Sequence, residues 1–213
     1  MKTTTKLAAV AFASVVMAGC ASNSVRYDNA AGQPTVYTPT NTTGPIAGVG
    51  IESQDIVAMT DQMMRDMLAN PMLASRSTAP RIIVDSSYFV NESASIVNKN
   101  MITDRLRIGL NRASNGRMVF VGRHYADMVE KERELKRSGV VDGGTIRTTQ
   151  ATAGADFKLG GRISSLDSMQ AGSQMKSRYS MITFEMVDLE LGTIVWSGMY
   201  EFKKTAQDNI MYR

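Results

Sequence analysis

The chain has 213 residues, a formal net charge of +4, 43% hydrophobic and 21% charged residues, one cysteine and one histidine. The charge bias is too weak to mark a nucleic-acid-binding protein, and Lys2 and Lys6 alone supply two of its positive charges. A single cysteine excludes any disulfide within the chain, and one histidine beside one cysteine excludes the usual zinc ligand sets.

The first element is MKTTTKLAAVAFASVVMAGC. Lys2 and Lys6 precede an uncharged run from Leu7 to Met17, which has the length and polarity of a secretory signal and is too short to span a bilayer. Met17, Ala18 and Gly19 place a hydrophobic and two small residues directly before Cys20, a pattern that resembles a bacterial lipobox, with Met17 where Leu is usual. Residues 1–19 are therefore expected to be a cleaved signal and Cys20 to carry the lipid. Ala21 and Ser22, rather than an aspartate, follow the cysteine, which favours the periplasmic face of the outer membrane over inner-membrane retention.

Residues 20–54 are rich in Ser, Asn, Thr, Gly and Pro. Such a stretch buries too little apolar surface to offset the entropy of ordering its backbone, so it reads as a flexible tether. Fully stretched at ~3.3 Å per residue it would reach about 110 Å, and as a relaxed coil roughly 30 to 35 Å.

A globular domain is expected over residues 55–213. Ile56, Met59, Met63 and Met67 recur at helical spacing and Asn70-Pro71 closes that helix. RIIVDSSYFVN, residues 81–91, reads as a strand whose apolar triplet Ile82 to Val84 suits burial on both faces. Ile102, Leu106 and Leu110 mark a second helix stopped by Asn115-Gly116, and MVFVG, residues 118–122, reads as a second buried strand. Tyr125, Met128, Val129 and Leu135 mark a third helix, charged elsewhere, with Asp127/Lys131 and Glu132/Lys136 at the supportive i,i+4 spacing and Gly139 at its end. Residues 145–153 could add a short helix. DFKLGGRISSL, SRYSMITFEMVD and TIVWSGMYEFK then alternate every second residue, and LELG, residues 189–192, links the last two. Helices between two early strands followed by a three-stranded antiparallel meander imply an α/β fold: one mixed sheet with helices packed on it.

Catalytic groups are sparse. His124 lacks a G-x-S-x-G partner motif and reads as a loop residue after a strand. Asp85 is the acid most worth weighing, and its preferred role is a loop acceptor at a strand end. Asp156, Glu185 and Asp188 are explained by turns or a solvated sheet face, and EKERELKR, residues 130–137, by a solvated helix face. VVDGGT and KLGGRI lack phosphate-loop spacing. No cofactor, metal or catalytic residue is assigned, and an interaction module is the expected function.

The lipobox, the polar tether, RIIVDSSYFVN, MVFVGR, AGADFKLGGRISS and above all VDLELGTIVWSGMY resemble the LpoB-type lipoproteins, outer-membrane activators of bifunctional class A penicillin-binding proteins. The resemblance implies a sandwich similar to the N-terminal domain of TolB. It also implies a non-enzymatic monomer that docks on a class A synthase and raises peptidoglycan synthesis from the outer membrane. One departure is Gly160, where an aromatic occurs in the family. If Phe157 and Leu159 point inward, Lys158, Gly160 and Arg162 point outward and are the candidate partner contacts. Trp196 is expected in the core, on one strand face with Ile194, Tyr200 and Phe202. The competing reading is a periplasmic assembly or export lipoprotein of the curli-secretion type.

Overall fold

The structure, a computed structural model, describes residues 37–42, 48–74, 76–149, 151–169, 171–172 and 175–207. All of them belong to the second of the chain's two units, Thr35–Arg213. The expected signal segment, Cys20 and most of the stretch read as a tether lie outside the described residues.

Helix α1, Ser53–Ala69, opens on a reciprocal box in which Glu52 accepts from the backbone of Asp55 and the Asp55 carboxylate accepts from the Glu52 N–H at 2.8 Å. That arrangement satisfies donors that every helix start leaves open. Lys204 reinforces it from the far end of the chain, with its ammonium 2.6 Å from Asp55 and 3.0 Å from the Gly50 carbonyl. Val49, just before this box, is fully buried. Ile56, Met59, Met63 and Met67 face inward as their spacing requires. The short helix α2, Pro71–Ala74, follows Asn70.

The segment expected as one strand is two, β1 (Arg81–Ile83) and β2 (Phe89–Asn91), both parallel to β4 (Phe157–Met169). Ile83 pairs with Lys158 and Phe89 with Gly161, so five residues on one side span what two span on the other. The excursion is an Asx turn: Asp85 Oδ1 accepts from the Ser87 N–H at 3.0 Å, offering the backbone a partner other than the ladder. The expected triplet is buried, with Ile82, Ile83 and Val84 all below 6% exposure.

Helix α3, Lys99–Ala113, starts with the Asn98 side chain accepting from Asn100 N–H and ends at Asn115 and Gly116, both in the left-handed region. Strand β3 is only Val119–Phe120 and lies at the sheet edge, half exposed, which corrects the expectation of a buried strand; Met118 alone is buried there. A 3₁₀ turn, Arg123–Tyr125, carries the exposed His124. It leads into α4, Ala126–Arg137, which has no buried residue. The apolar stripe expected on this helix is mostly solvent-facing: the core face of the sheet is already covered by α1 and α3. Residues 145–149 and 151–153 form no helix.

The C-terminal meander is as expected: β4, β5 (Met175–Asp188) and β6 (Ile194–Gln207) pair antiparallel, giving the order β3-β1-β4-β5-β6 with β2 also on β4. Asp188 holds the last turn, its carboxylate accepting from the Leu191 and Glu190 N–H groups, which depress its pKa, and Gly192 adopts φ 68°. The pairing slips between Met186/Trp196 and Val187/Ile194, leaving Val195 as the extra residue of a bulge. Trp196 is in the core as expected, but the bulge turns Ile194 out to solvent, so Ile194 does not share its face.

The core lies between one sheet face and helices α1 and α3, where Leu159, Ile163, Ile182, Phe184 and Met186 meet Met59, Met63 and Leu106. Fully burying a side chain of this size contributes about 1.5–3 kcal/mol. Five core methionines, Met59, Met63, Met67, Met118 and Met186, account for part of the methionine load. Phe89 stacks on Phe184 with ring centroids 5.1 Å apart. Gly161 and Gly198 are required by close approach: a Cβ on Gly161 would lie 2.6 Å from the Phe89 ring and the Thr183 carbonyl, and one on Gly198 2.5 Å from the Trp196 ring.

Candidate docking face

Alternation along β4 and β5 sorts the functional candidates. Leu159, Ile163, Ile182, Phe184 and Met186 are buried under the helices, so Lys158, Gly160 and Arg162 stand on the opposite face with Thr183, Glu185 and Val187. The outward orientation expected of the three β4 residues is what the structure has. They line a single groove of about 570 Å³ with Tyr88, Val90 and Leu189.

Each candidate has a distinct setting. Gly160 forms part of the floor, and a Cβ there would meet nothing closer than the Tyr88 carbonyl at 3.5 Å. Lys158 is pinned rather than extended: its ammonium is 3.4 Å from Asp85 Oδ2 and 4.7 Å from the centre of the Tyr88 ring. Burial opposes the charged form of Asp85, but hydrogen bonds from Ser87 and the Lys158 ammonium outweigh it and hold the carboxyl below its ordinary pKa. Asp85 is thus the loop acceptor expected, and it positions Lys158. Arg162 is open to water and pairs with Glu92 at 3.0 Å.

The face combines apolar and charged groups. Tyr88 is 67% exposed and Val90 46%, while across the strands the Tyr179 hydroxyl donates to Glu201 at 2.6 Å, which raises the tyrosine's pKa. An exposed aromatic and aliphatic floor rimmed by Lys, Arg and Glu has the composition of a protein-binding patch. Tyr88 and Val90 are hidden in the sequence because RIIVDSSYFVN reads as one strand, whereas the turn at Asp85 divides it in two. The pairing of odd-numbered β5 residues with even-numbered β4 residues was available as a signal for Thr183 and Glu185.

Among the described residues no three of His, Cys, Asp and Glu converge on a point that could hold a metal ion, and no helix is long and apolar enough to cross a membrane. His124 lies against Tyr125 with ring centroids 4.0 Å apart and the planes tilted by 49°, beside the turn that carries Ser86 and Ser87.

Among solved structures, the chain resembles the LpoB C-terminal domain from Escherichia coli at 17% identity, covering 70% of this chain and 97% of that one with a TM-score of 0.39. The LpoB C-terminal domain from Salmonella enterica matches at 16% identity, 66% and 94% coverage and a TM-score of 0.37. Lipoprotein GNA1162 from Neisseria meningitidis matches at 14% identity, 62% and 87% coverage and a TM-score of 0.30. No curated protein matches the chain. Residues 55–202, more than half of the sequence and all of the sheet except the end of β6, match the family described as peptidoglycan-synthase activator LpoB, and the chain belongs to that family.

Proposed function

We propose that this protein is an outer-membrane lipoprotein that docks on a bifunctional class A penicillin-binding protein and stimulates its peptidoglycan synthesis. The family match over residues 55–202 carries the reading. In this proposal Cys20 is the acylated anchor at the periplasmic face, the polar stretch behind it is the tether, and the domain acts as a non-enzymatic monomer.

The uncovered sheet face is the proposed docking surface, with Gly160 as a flat floor and Lys158 and Arg162 as flanking cations. Its groups support the assignment: Lys158 is preorganised by Asp85 and Tyr88, so little side-chain entropy is lost on contact, and Arg162 offers a planar fork to a partner carboxylate. Stimulation requires that the domain bind the active synthase conformation more tightly than the inactive one, because equal affinity for both would shift nothing.

The test is to add the purified protein to a class A synthase and follow glycan polymerisation. A raised rate, together with co-purification of the two proteins, is the expected result. Binding without any change in rate, or no binding at all, refutes the proposal.

A further inference from the structure

Helix α4 and the chain that follows it build a second concavity, which shares no residue with the groove on the open sheet face. Gly139, at φ 77°, reverses the chain, and Val140 N–H donates back to the Leu135 carbonyl at 3.1 Å. A turn closed by Ile146 N–H on the Gly143 carbonyl follows, and the Arg133 guanidinium donates to the Ala151 carbonyl at 3.2 Å, tying the returning segment across the helix. Between helix and returning segment lies a cleft of about 450 Å³, within the ~300–1,000 Å³ range of small-ligand sites.

Its lining is one-signed. Arg81, Arg133, Lys136, Arg137 and Arg147 contribute five cations, Val129 and Ile146 an apolar wall, and no carboxylate residue lines it. Glu132 pairs with Lys136 at 3.3 Å, and Asp156 accepts from the backbone N–H of Arg81 rather than from its guanidinium. The side chains of Arg81, Arg137 and Arg147 have no carboxylate partner among the described residues.

The guanidinium groups of Arg81, Arg137 and Arg147, which no carboxylate among the described residues neutralises, repel one another, and the repulsion is relieved by an anion of more than one charge. Guanidinium forks match the tetrahedral oxygens of phosphate in paired hydrogen bonds. We propose that this cleft is a binding site for a phosphate-bearing anion, gripped by Arg137 from the helix and Arg147 from the returning segment, with Arg81, Arg133 and Lys136 supplying the surrounding positive field. The apolar wall of Val129 and Ile146 accommodates an uncharged portion attached to the phosphate. The phosphate can belong to a lipid headgroup or to a soluble diphosphate.

The experiment uses the full chain in neutral detergent micelles. In one arm inorganic pyrophosphate is titrated calorimetrically, and in the other the micelles are doped with phosphatidylglycerol. Saturable pyrophosphate binding that weakens with added salt, and falls about tenfold in the Arg137→Ala/Arg147→Ala variant, supports the site. Response to phosphatidylglycerol alone, lost in the same variant, supports it with a lipid-borne phosphate as ligand. Binding unchanged by the substitutions, no binding in either arm, or an equal response to acetate overturns it. Circular dichroism of the variant checks that the fold is intact. The Arg137→Lys/Arg147→Lys variant, which keeps the charge and removes the forks, should bind with intermediate affinity.

Discussion

Replacing Asp167 by alanine tests how the meander is held. Arg178 on β5 is 1% exposed, lies directly across the ladder from Asp167 on β4, and donates to that carboxylate at 2.5 and 2.8 Å. Ser95 Oγ, at 2.9 Å, is a further partner. Removing one member of a fully buried pair costs about 3–5 kcal/mol because the remaining charge stays desolvated. The Asp167 side chain is 32% exposed, so water already screens part of this interaction and the expected loss is about 2 kcal/mol. For a domain of this size that lowers the unfolding midpoint by about 4–8 °C. The Arg178 hydrogen bond, with Lys176 at 3.2 Å assisting, lowers the Asp167 pKa from 3.8 to about 2. A depressed carboxylate stabilises the fold fully above its unfolded pKa and ceases to do so as pH falls through the folded value, so the gap between wild type and Asp167→Ala should close between pH ~4 and ~2. Arg178→Met, which removes the buried charge itself, should be less damaging at pH 7 than Asp167→Ala. Thermal unfolding of the three proteins across this pH series is the assay. A midpoint shift below about 1 °C at pH 7, or a gap that does not narrow on acidification, refutes the reasoning.

Gly161→Ala forces a Cβ against the Phe89 ring and the Thr183 carbonyl and should cost about 1–3 kcal/mol in chemical denaturation. Gly160→Ala, one residue away with room for the methyl group, should be neutral or stabilising by up to ~1 kcal/mol. Cys20→Ser should shift the protein from the membrane to the soluble fraction on fractionation with its circular dichroism unchanged; a variant still acylated in the outer membrane contradicts the anchor assignment.

The three-stranded meander was legible because period-two alternation runs through long strands, and the two core helices because Met and Leu recur at helical spacing. What escaped the sequence was set by tertiary context. The Asx turn at Asp85 broke a strand whose composition on either side of it is wholly strand-like, and so concealed Tyr88 and Val90. The bulge at Val195 reversed Ile194 inside the unbroken apolar run Ile194-Val195-Trp196, where no alternation marks which residue faces the core. The stripe on α4 was a true periodicity with no core surface left to cover. EKERELKR reads as a solvated face because its acids and bases alternate along the sequence; folding brings Arg133, Lys136 and Arg137 of that run together with Arg81 and Arg147, which lie far from them in sequence. The outward orientation of Lys158, Gly160 and Arg162 followed from the alternation of β4; the pinning of Lys158 by Asp85 did not, since it depends on the turn.

The rate of glycan polymerisation by a class A synthase, measured with wild-type protein and with the Lys158→Ala/Arg162→Ala variant, tests the central claim most directly. Arg162 is open to water, and Asp85 keeps its Ser87 hydrogen bond when Lys158 is cut back, so the variant should stay folded, which its circular dichroism checks. The account predicts stimulation by the wild type and a loss of about tenfold or more in the variant's apparent affinity for the synthase. Absence of stimulation by the wild type, or equal stimulation by the variant at limiting concentration, would contradict it.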